Sequence, residues 1–186
     1  MYTDRTLLPK ECLRLCALGT LALSDKPISY ADLANLVRHF TAHIMGPSLD
    51  MMGSSLQLLK LEGLVRETCG AGGKGEGELS LTNAGRQKFD ELMQGTLRDT
   101  SGELSRLVMA LKMRFLHLLD DETRRDQIEI LQDVCELELD RMLVLREQHA
   151  DDVGAFVGWI DMEVSRLRQK HAWLTTLIAP ENVSSS

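Results

Sequence analysis

"GAGGKGEG", Gly70–Gly77, is the densest glycine cluster in the chain and lies between "LVRET" (Leu64–Thr68) and "ELSLT" (Glu78–Thr82). Its first six letters fit the dinucleotide pattern G-x-G-x-x-G, and Gly73-Lys74 is reminiscent of a phosphate loop. A dinucleotide fingerprint needs glycines that end a strand and open a helix, whose N-terminal amides then hold the pyrophosphate. Here they lead from one period-2 segment into another. Leu64, Arg66 and Thr68 alternate with Val65 and Glu67 before the cluster, and Leu79 and Leu81 alternate with polar neighbours after it. A Walker loop also needs Ser or Thr after its lysine to reach magnesium, and Gly75 stands there. The run therefore reads as the tip of a β-hairpin carrying Lys74, not as a nucleotide site.

Upstream of the hairpin the period is 3.6. "KECLRLCALGTLALSD" carries an apolar stripe at Cys12, Leu13, Cys16, Ala17 and Leu21 and ends near Ser24–Pro27. Ser29 is placed to cap "YADLANLVRHFTAHI", with Asp32 at its third position and Leu33, Leu36, Val37 and Phe40 inward. Pro47-Ser48 starts a third helix that runs to about Glu62, with Gly63 as its C-terminal cap. Downstream, Thr82 caps "NAGRQKFDELM". Helix-helix-helix-strand-strand-helix is the order of a winged helix-turn-helix, mainly α with a small β-hairpin wing.

The rear half is helical throughout. Thr100-Ser101 cap a helix to Leu119 with Leu104, Leu107, Val108, Leu111, Phe115 and Leu118 as its stripe. Asp120-Asp121 break it, and a helix from Thr123 turns Ile128, Leu131, Cys135, Leu139 and Met142 inward. Asp151-Asp152 open the last helix, whose stripe is Val153, Phe156, Ile160, Val164, Leu167, Leu174 and Leu177. Three long stripes with no second layer to cover them suggest pairing between subunits, and they also fit a closed three-helix bundle within one chain. The domains expected are 1–95, a winged helix; 96–180, a helical dimerisation domain; and 181–186, a disordered tail.

The 186 residues are 44% hydrophobic, 4% aromatic and 26% charged, the composition of a soluble globular protein with an aliphatic core. No apolar run reaches the ~18 residues of a membrane helix, and "MYTDRTLLPKE" lacks the layout of a signal peptide, so a cytoplasmic location and no membrane partner are expected. Cys12, Cys16, Cys69 and Cys135 form no C-x-x-C and read as reduced, buried thiols. His39 and His43 share a helix face, but no third ligand has a recognisable spacing, which favours a surface or DNA-facing role over zinc. No nucleophile–base constellation can be placed. Neither enzyme activity, cofactor nor metal is expected.

"LLKLEGLV" (Leu58–Val65) followed by "GELSLTNAGRQKF" (Gly77–Phe89), and the rear segment "LVMALKMRFLHLLDDETRRDQIEILQDVCELELDRM", together resemble PadR-type transcriptional regulators over residues 10–178. That resemblance implies a dimeric regulator, usually a repressor, which binds double-stranded operator DNA and often answers to a small-molecule effector such as a phenolic. A two-fold dimer would set two recognition helices about one DNA turn apart.

The net charge of -7 sits mostly in the rear: residues 1–95 hold 10 Lys+Arg against 11 Asp+Glu, whereas 96–186 hold 11 against 17. DNA contact must then come from a local patch. On the recognition helix, Ser54 and Gln57 can reach base edges, Ser48 a phosphate at the helix start, with Lys60 at the flank. Further cations expected around them are Lys26, Arg38, His39 and His43 on or before the second helix, and Arg66, Lys74, Arg86 and Lys88 around the wing. Asp50, Leu58 and Leu61 depart from a phosphate-facing surface, and Gly53-Ser54 replace the Tyr-Pro pair that the PadR resemblance leads one to expect. The alternative is a winged helix that binds protein through exposed Leu and Met side chains. Phe115, Phe156, Ile160, Val164, Leu167 and Leu174 are the expected dimer contacts. An effector pocket would draw on Met113, Phe115, Trp159 and Trp173.

Overall fold

The computed structural model describes residues 6–46, 52–68, 77–97 and 102–178, and of residues 52–55 the backbone only. In chain order the elements are α1 (Pro9–Leu23), β1 (Ile28–Ser29), α2 (Tyr30–Met45), α3 (Met52–Leu61), β2 (Val65–Thr68), β3 (Glu78–Leu81), α4 (Asn83–Met93), α5 (Glu103–Phe115, with a 3-10 turn at Leu116–Leu118), α6 (Asp121–Gln148) and α7 (Phe156–Ile178). They form two compact units: 1–96 with 101–120, and 97–100 with 121–186. None of the described helices is long and apolar enough to cross a membrane.

The first unit is a winged helix built around α1. Every residue from Leu15 to Leu21 is buried, because α2, α3, α4 and α5 all pack on this one helix. A helix with no polar face belongs in a core, and "LCALGTL" has none. Thr20, its one hydroxyl, donates to the Cys16 carbonyl at 2.7 Å. Ser29 caps α2 by accepting from the Asp32 amide at 3.1 Å, as its sequence position predicts. Leu36, expected inward, is 44% exposed; the inward stripe is narrower and runs Leu33, Val37, Thr41.

The sheet has three strands where the sequence shows two. Ile28–Ser29 pairs antiparallel with β3, so the order is β1-β3-β2, with Ile28 opposite Leu79 and Val65 opposite Leu81. A strand of two residues carries no alternation for a pattern to reveal. The wing tip, residues 69–76, lies outside the described residues, and so does Cys69.

The turn between α3 and β2 orients the hairpin. Gly63 has φ +70°, its amide donates to the Lys60 carbonyl at 3.1 Å, and the Leu64 amide reaches the Leu59 carbonyl at 2.9 Å. This is a Schellman closure, which needs the left-handed residue that glycine supplies without a Cβ clash. Thr82 then locks α4 to the same turn. Its hydroxyl accepts from the Gly85 amide at 3.0 Å and donates to the Gly63 carbonyl at 2.8 Å.

Gly85 is small for a separate reason: a Cβ there would lie 2.0 Å from the Leu64 carbonyl oxygen. Backbone cannot swing aside as a side chain can. Gly85→Ala is expected to cost about 1–3 kcal/mol, the usual range for overpacking. A urea midpoint unchanged from the parent would contradict the close approach.

α5 belongs to this first unit, not to the rear domain expected from 96 onward. It packs on α1 and α2, burying Leu107, Val108, Leu111 and Phe115. The second unit is therefore neither a closed three-helix bundle nor three long helices awaiting a partner. It is an antiparallel hairpin of α6 and α7. Gln132 donates to Thr175 at 2.9 Å, the Cys135 thiol to the Leu167 carbonyl at 3.4 Å, and Arg146 pairs with Asp161 at 2.7 Å. The seam is Ile128, Leu131 and Cys135 against Ile160, Val164, Leu167 and Leu174. α6 begins at Asp121, two residues before the expected Thr123, so Asp121 and Glu122 sit in its favourable first turn. α7 begins at Phe156, not at Asp151, which leaves Val153 in the connection and fully exposed.

Candidate nucleic-acid interface

α3 turns Leu56 (3% exposed) and Leu59 (1%) to the core and Gln57, Leu58, Lys60 and Leu61 to solvent. Ser54 stands on this helix, three residues before Gln57 and seven before Leu61; its side chain is outside the described residues, as are Ser48, Asp50 and Lys74. Lys60, the only charged residue of α3, forms an ion pair with Glu67 on β2. Just beyond the helix, Glu62 is paired with Arg14. The outward surface of α3 is thus close to neutral.

The cations expected around it divide in two. Arg86 pairs with Asp90 at 3.3 Å, donates to the Leu118 carbonyl at 2.6 Å and lies 5.1 Å from the centre of the Phe89 ring; Lys88 pairs with Glu91 at 3.0 Å. Of these contacts only the Arg86 bond to Leu118 ties α4 to another element; both ion pairs lie within α4. Arg66, by contrast, is exposed on β2, and Arg38 is exposed on α2 with a 3.1 Å hydrogen bond to Asn35. Among the described residues, no carboxylate pairs with Arg66 or Arg38. His39 and His43 are exposed with ring centroids 4.2 Å apart, and the His43 Nδ1 sits 2.7 Å from the His39 carbonyl. The described part of this region thus presents the exposed Gln57, Leu58 and Leu61 of α3, with exposed guanidinium groups on the elements that precede and follow it in the chain.

A protein-family model described as "Putative AphA-like transcriptional regulator" matches residues 2–178. The chain belongs to this AphA-like family. No curated protein matches it. Solved structures to which the chain is similar include Bacillus subtilis PadR in complex with operator DNA, at 18% identity over 90% of this chain and 96% of that one, with a TM-score of 0.36. B. subtilis PadR in complex with p-coumaric acid aligns at 16% identity over 94% and 97%, with a TM-score of 0.38. A Streptococcus mutans UA159 protein, smu.1604c, aligns at 16% over 94% and 100%, with a TM-score of 0.36. The expectation of a winged-helix transcriptional regulator is met by the family match.

Two groups in this AphA-like regulator escape sequence reasoning. Phe115, expected among the dimer contacts, is 0% exposed inside the first unit, where its ring meets Phe89 edge-on at 5.8 Å. Its neighbour Arg114 lies over the Phe40 ring at 4.7 Å. Ile160, Val164, Leu167 and Leu174 are buried in the seam with α6, while Phe156, 39% exposed, stacks on Trp159 at 5.9 Å. Lys112 is also 0% exposed; it donates to the carbonyl of Met93, the last residue of α4, and burial pulls its pKa down to about 7. Only its place on the buried side of the α5 stripe, one residue after Leu111, could have signalled it. Burial raises the Cys12 and Cys16 thiols to about 12, which leaves them un-ionised and poor nucleophiles at neutral pH.

Proposed function

We propose that this AphA-like regulator binds duplex DNA as a homodimer and represses transcription, with α3 in the major groove and the wing on the adjacent backbone. The observation that carries the reading is a pair of exposed guanidinium groups, Arg38 and Arg66, that have no carboxylate partner among the described residues and stand on elements adjoining α3 in the chain, whereas Arg14, Lys60, Arg86 and Lys88 are each paired with a carboxylate. Phosphate contacts supply most sequence-independent affinity, and a paired cation supplies little of it. Ser48 and Lys74 belong to the same proposal on sequence grounds.

The dimer contact is proposed on the outer face of the α6–α7 hairpin. Its seam is already filled by its own side chains, yet Leu137 (59% exposed), Val144 (54%), Met162 (57%), Trp159 (46%) and Trp173 (47%) remain in water. Exposed apolar surface of this extent marks an interaction site. Phe156 joins that face. An effector, which the PadR resemblance implies, would be followed through the fluorescence of the two tryptophans, both on α7.

Arg66→Ala is expected to weaken binding to all duplexes alike and to reduce the salt slope by about 1. Fluorescence anisotropy over a salt series measures both, and a change confined to one sequence would overturn the role given to Arg66. Sedimentation as a monomer at working concentration would remove the dimer. The second reading, a protein-binding winged helix, is favoured by the exposure of Leu58 and Leu61. It wins if Leu58→Lys with Leu61→Lys strengthens DNA binding while abolishing a protein contact.

A further inference from the structure

The outward stripe of α3 has an unusual chemistry for a surface that meets nucleic acid. Gln57, Leu58 and Leu61 are exposed, Leu61 to 83%, and the helix's single cation is engaged by Glu67. In the major groove, guanine is read by Arg or Lys at O6 and N7. Adenine is read by Gln or Asn at N6 and N7, and thymine through its C5-methyl by apolar side chains. The stripe holds the second and third kinds of reader and lacks a free member of the first.

We infer that α3 selects A·T base pairs, Gln57 bonding the N6 and N7 of an adenine and Leu58 and Leu61 covering thymine methyls on neighbouring pairs. This rests on the DNA-binding reading above. The spacing fits. Gln57 and Leu61 are one turn apart, about 6 Å along the helix axis, and base pairs are stacked about 3.4 Å apart, so the three side chains span about two steps.

The discrimination has a physical basis on both sides. A thymine methyl removes leucine surface from water, at about fourfold in affinity per methyl on the usual scale for one carbon group. Cytosine has only a hydrogen where thymine carries its methyl, and an amino donor in place of the neighbouring O4, which a leucine would leave without an acceptor. A protein partner is the weaker occupant. Two leucines and a glutamine make a narrow strip, far short of the roughly 800 Å² per partner of a standard interface, and the elements adjoining it in the chain carry exposed guanidinium groups with no carboxylate partner among the described residues.

The test begins by selecting duplexes from a randomised pool with the full chain. Thymines in the selected half-site are then replaced singly by deoxyuridine, which deletes only the methyl. Expected is a half-site with adjacent A·T pairs and a loss of about fourfold for each contacted thymine. Leu58→Ala and Leu61→Ala should each bind the thymine and uracil duplexes equally at one position. Gln57→Ala should relax the preference for adenine. Sequence-specific binding that ignores deoxyuridine at every position, or a half-site read through G·C pairs, overturns the inference and leaves the DNA-binding reading standing. Failure to retain any duplex at low ionic strength overturns both. The deoxyuridine arm uses the unaltered protein, so folding of a variant cannot confuse it.

Discussion

Truncating Phe115 to alanine is expected to lower the unfolding free energy of the winged unit by about 3–5 kcal/mol, the range for deleting a fully buried phenylalanine. The ring is 0% exposed, meets Phe89 in an edge-on contact at 5.8 Å and lies against Gly19, where a Cβ would come within 2.5 Å of it. The loss has two parts: the transfer of the ring to water, and the cavity that α1, α4 and α5 cannot fully close. The Arg114 guanidinium, 5.2 Å from the ring centre, adds a smaller cation–π part. Gly19 offers an internal control. Gly19→Ala should harm the parent protein but be neutral or favourable beside Phe115→Ala, because its methyl then enters vacated space; the double-mutant coupling measures that contact. Urea unfolding should be followed by circular dichroism, since both tryptophans report the second unit. A loss under about 1 kcal/mol would show that the ring is not in the core, and would revive Phe115 as a subunit contact.

Lys112→Met is expected to raise stability at pH 7 by about 1–4 kcal/mol, the gain seen when buried charges give way to apolar side chains of similar volume. Burial lowers the Lys112 pKa from 10.5 to about 7. Between those values the unfolded chain holds a proton that the folded one lacks, so the stability of the parent should rise with pH above 7, and flatten below it, where both states are protonated. The slope approaches about 1.4 kcal/mol per pH unit in that window. The Met93 carbonyl ends α4 and favours a nearby cation, yet that favour is too small to restore an ordinary pKa. The variant loses this hydrogen bond, which trims its gain, and its advantage should narrow steadily from pH 7 to 9. Above pH 9 the buried thiols work the other way. The Cys12 and Cys16 pKa values are raised from 9.0 to about 12, so the unfolded chain releases protons that the folded one keeps, and stability falls with pH. Denaturation midpoints for parent and variant from pH 6 to 9 decide the matter. A parent curve that is level or falling from pH 7 to 8.5 would place the Lys112 ammonium in water.

Much of the winged unit is legible because it is local. Ser29, Gly63 and Thr82 act on amides and carbonyls within a few residues of themselves, and the structure places each in the capping role its position predicts. The 3.6-residue stripes and the switch to period 2 at Leu64 define the helices and the hairpin without reference to anything distant. β1 escapes because two residues carry no period, and it exists only because β3 has a free edge beside it.

The outward face of α3 was legible in its residues but not in its charges. Gln57, Leu58, Lys60 and Leu61 are exposed as the helical projection requires. That Lys60 is engaged by Glu67, and Arg86 by the Leu118 carbonyl, depends on how the strand and the 3-10 turn fold back, whereas the Arg86–Asp90 pair is local to one turn of α4. Counting cations along the chain overstates the positive surface, since pairing across space cancels some of them.

The amino-acid sequence alone determined the order of the helices and the hairpin, the caps at Ser29, Gly63 and Thr82, and the apolar stripes of the rear helices, because each follows from interactions between near neighbours. Only the tertiary structure decided what those stripes cover. The stripes of α5 and α7 look alike in one dimension, yet the first fills the core around α1 and the second closes on α6. Apolar burial is non-directional and carries no address; shape fit between distant segments, Phe115 against Gly19 above all, supplies it.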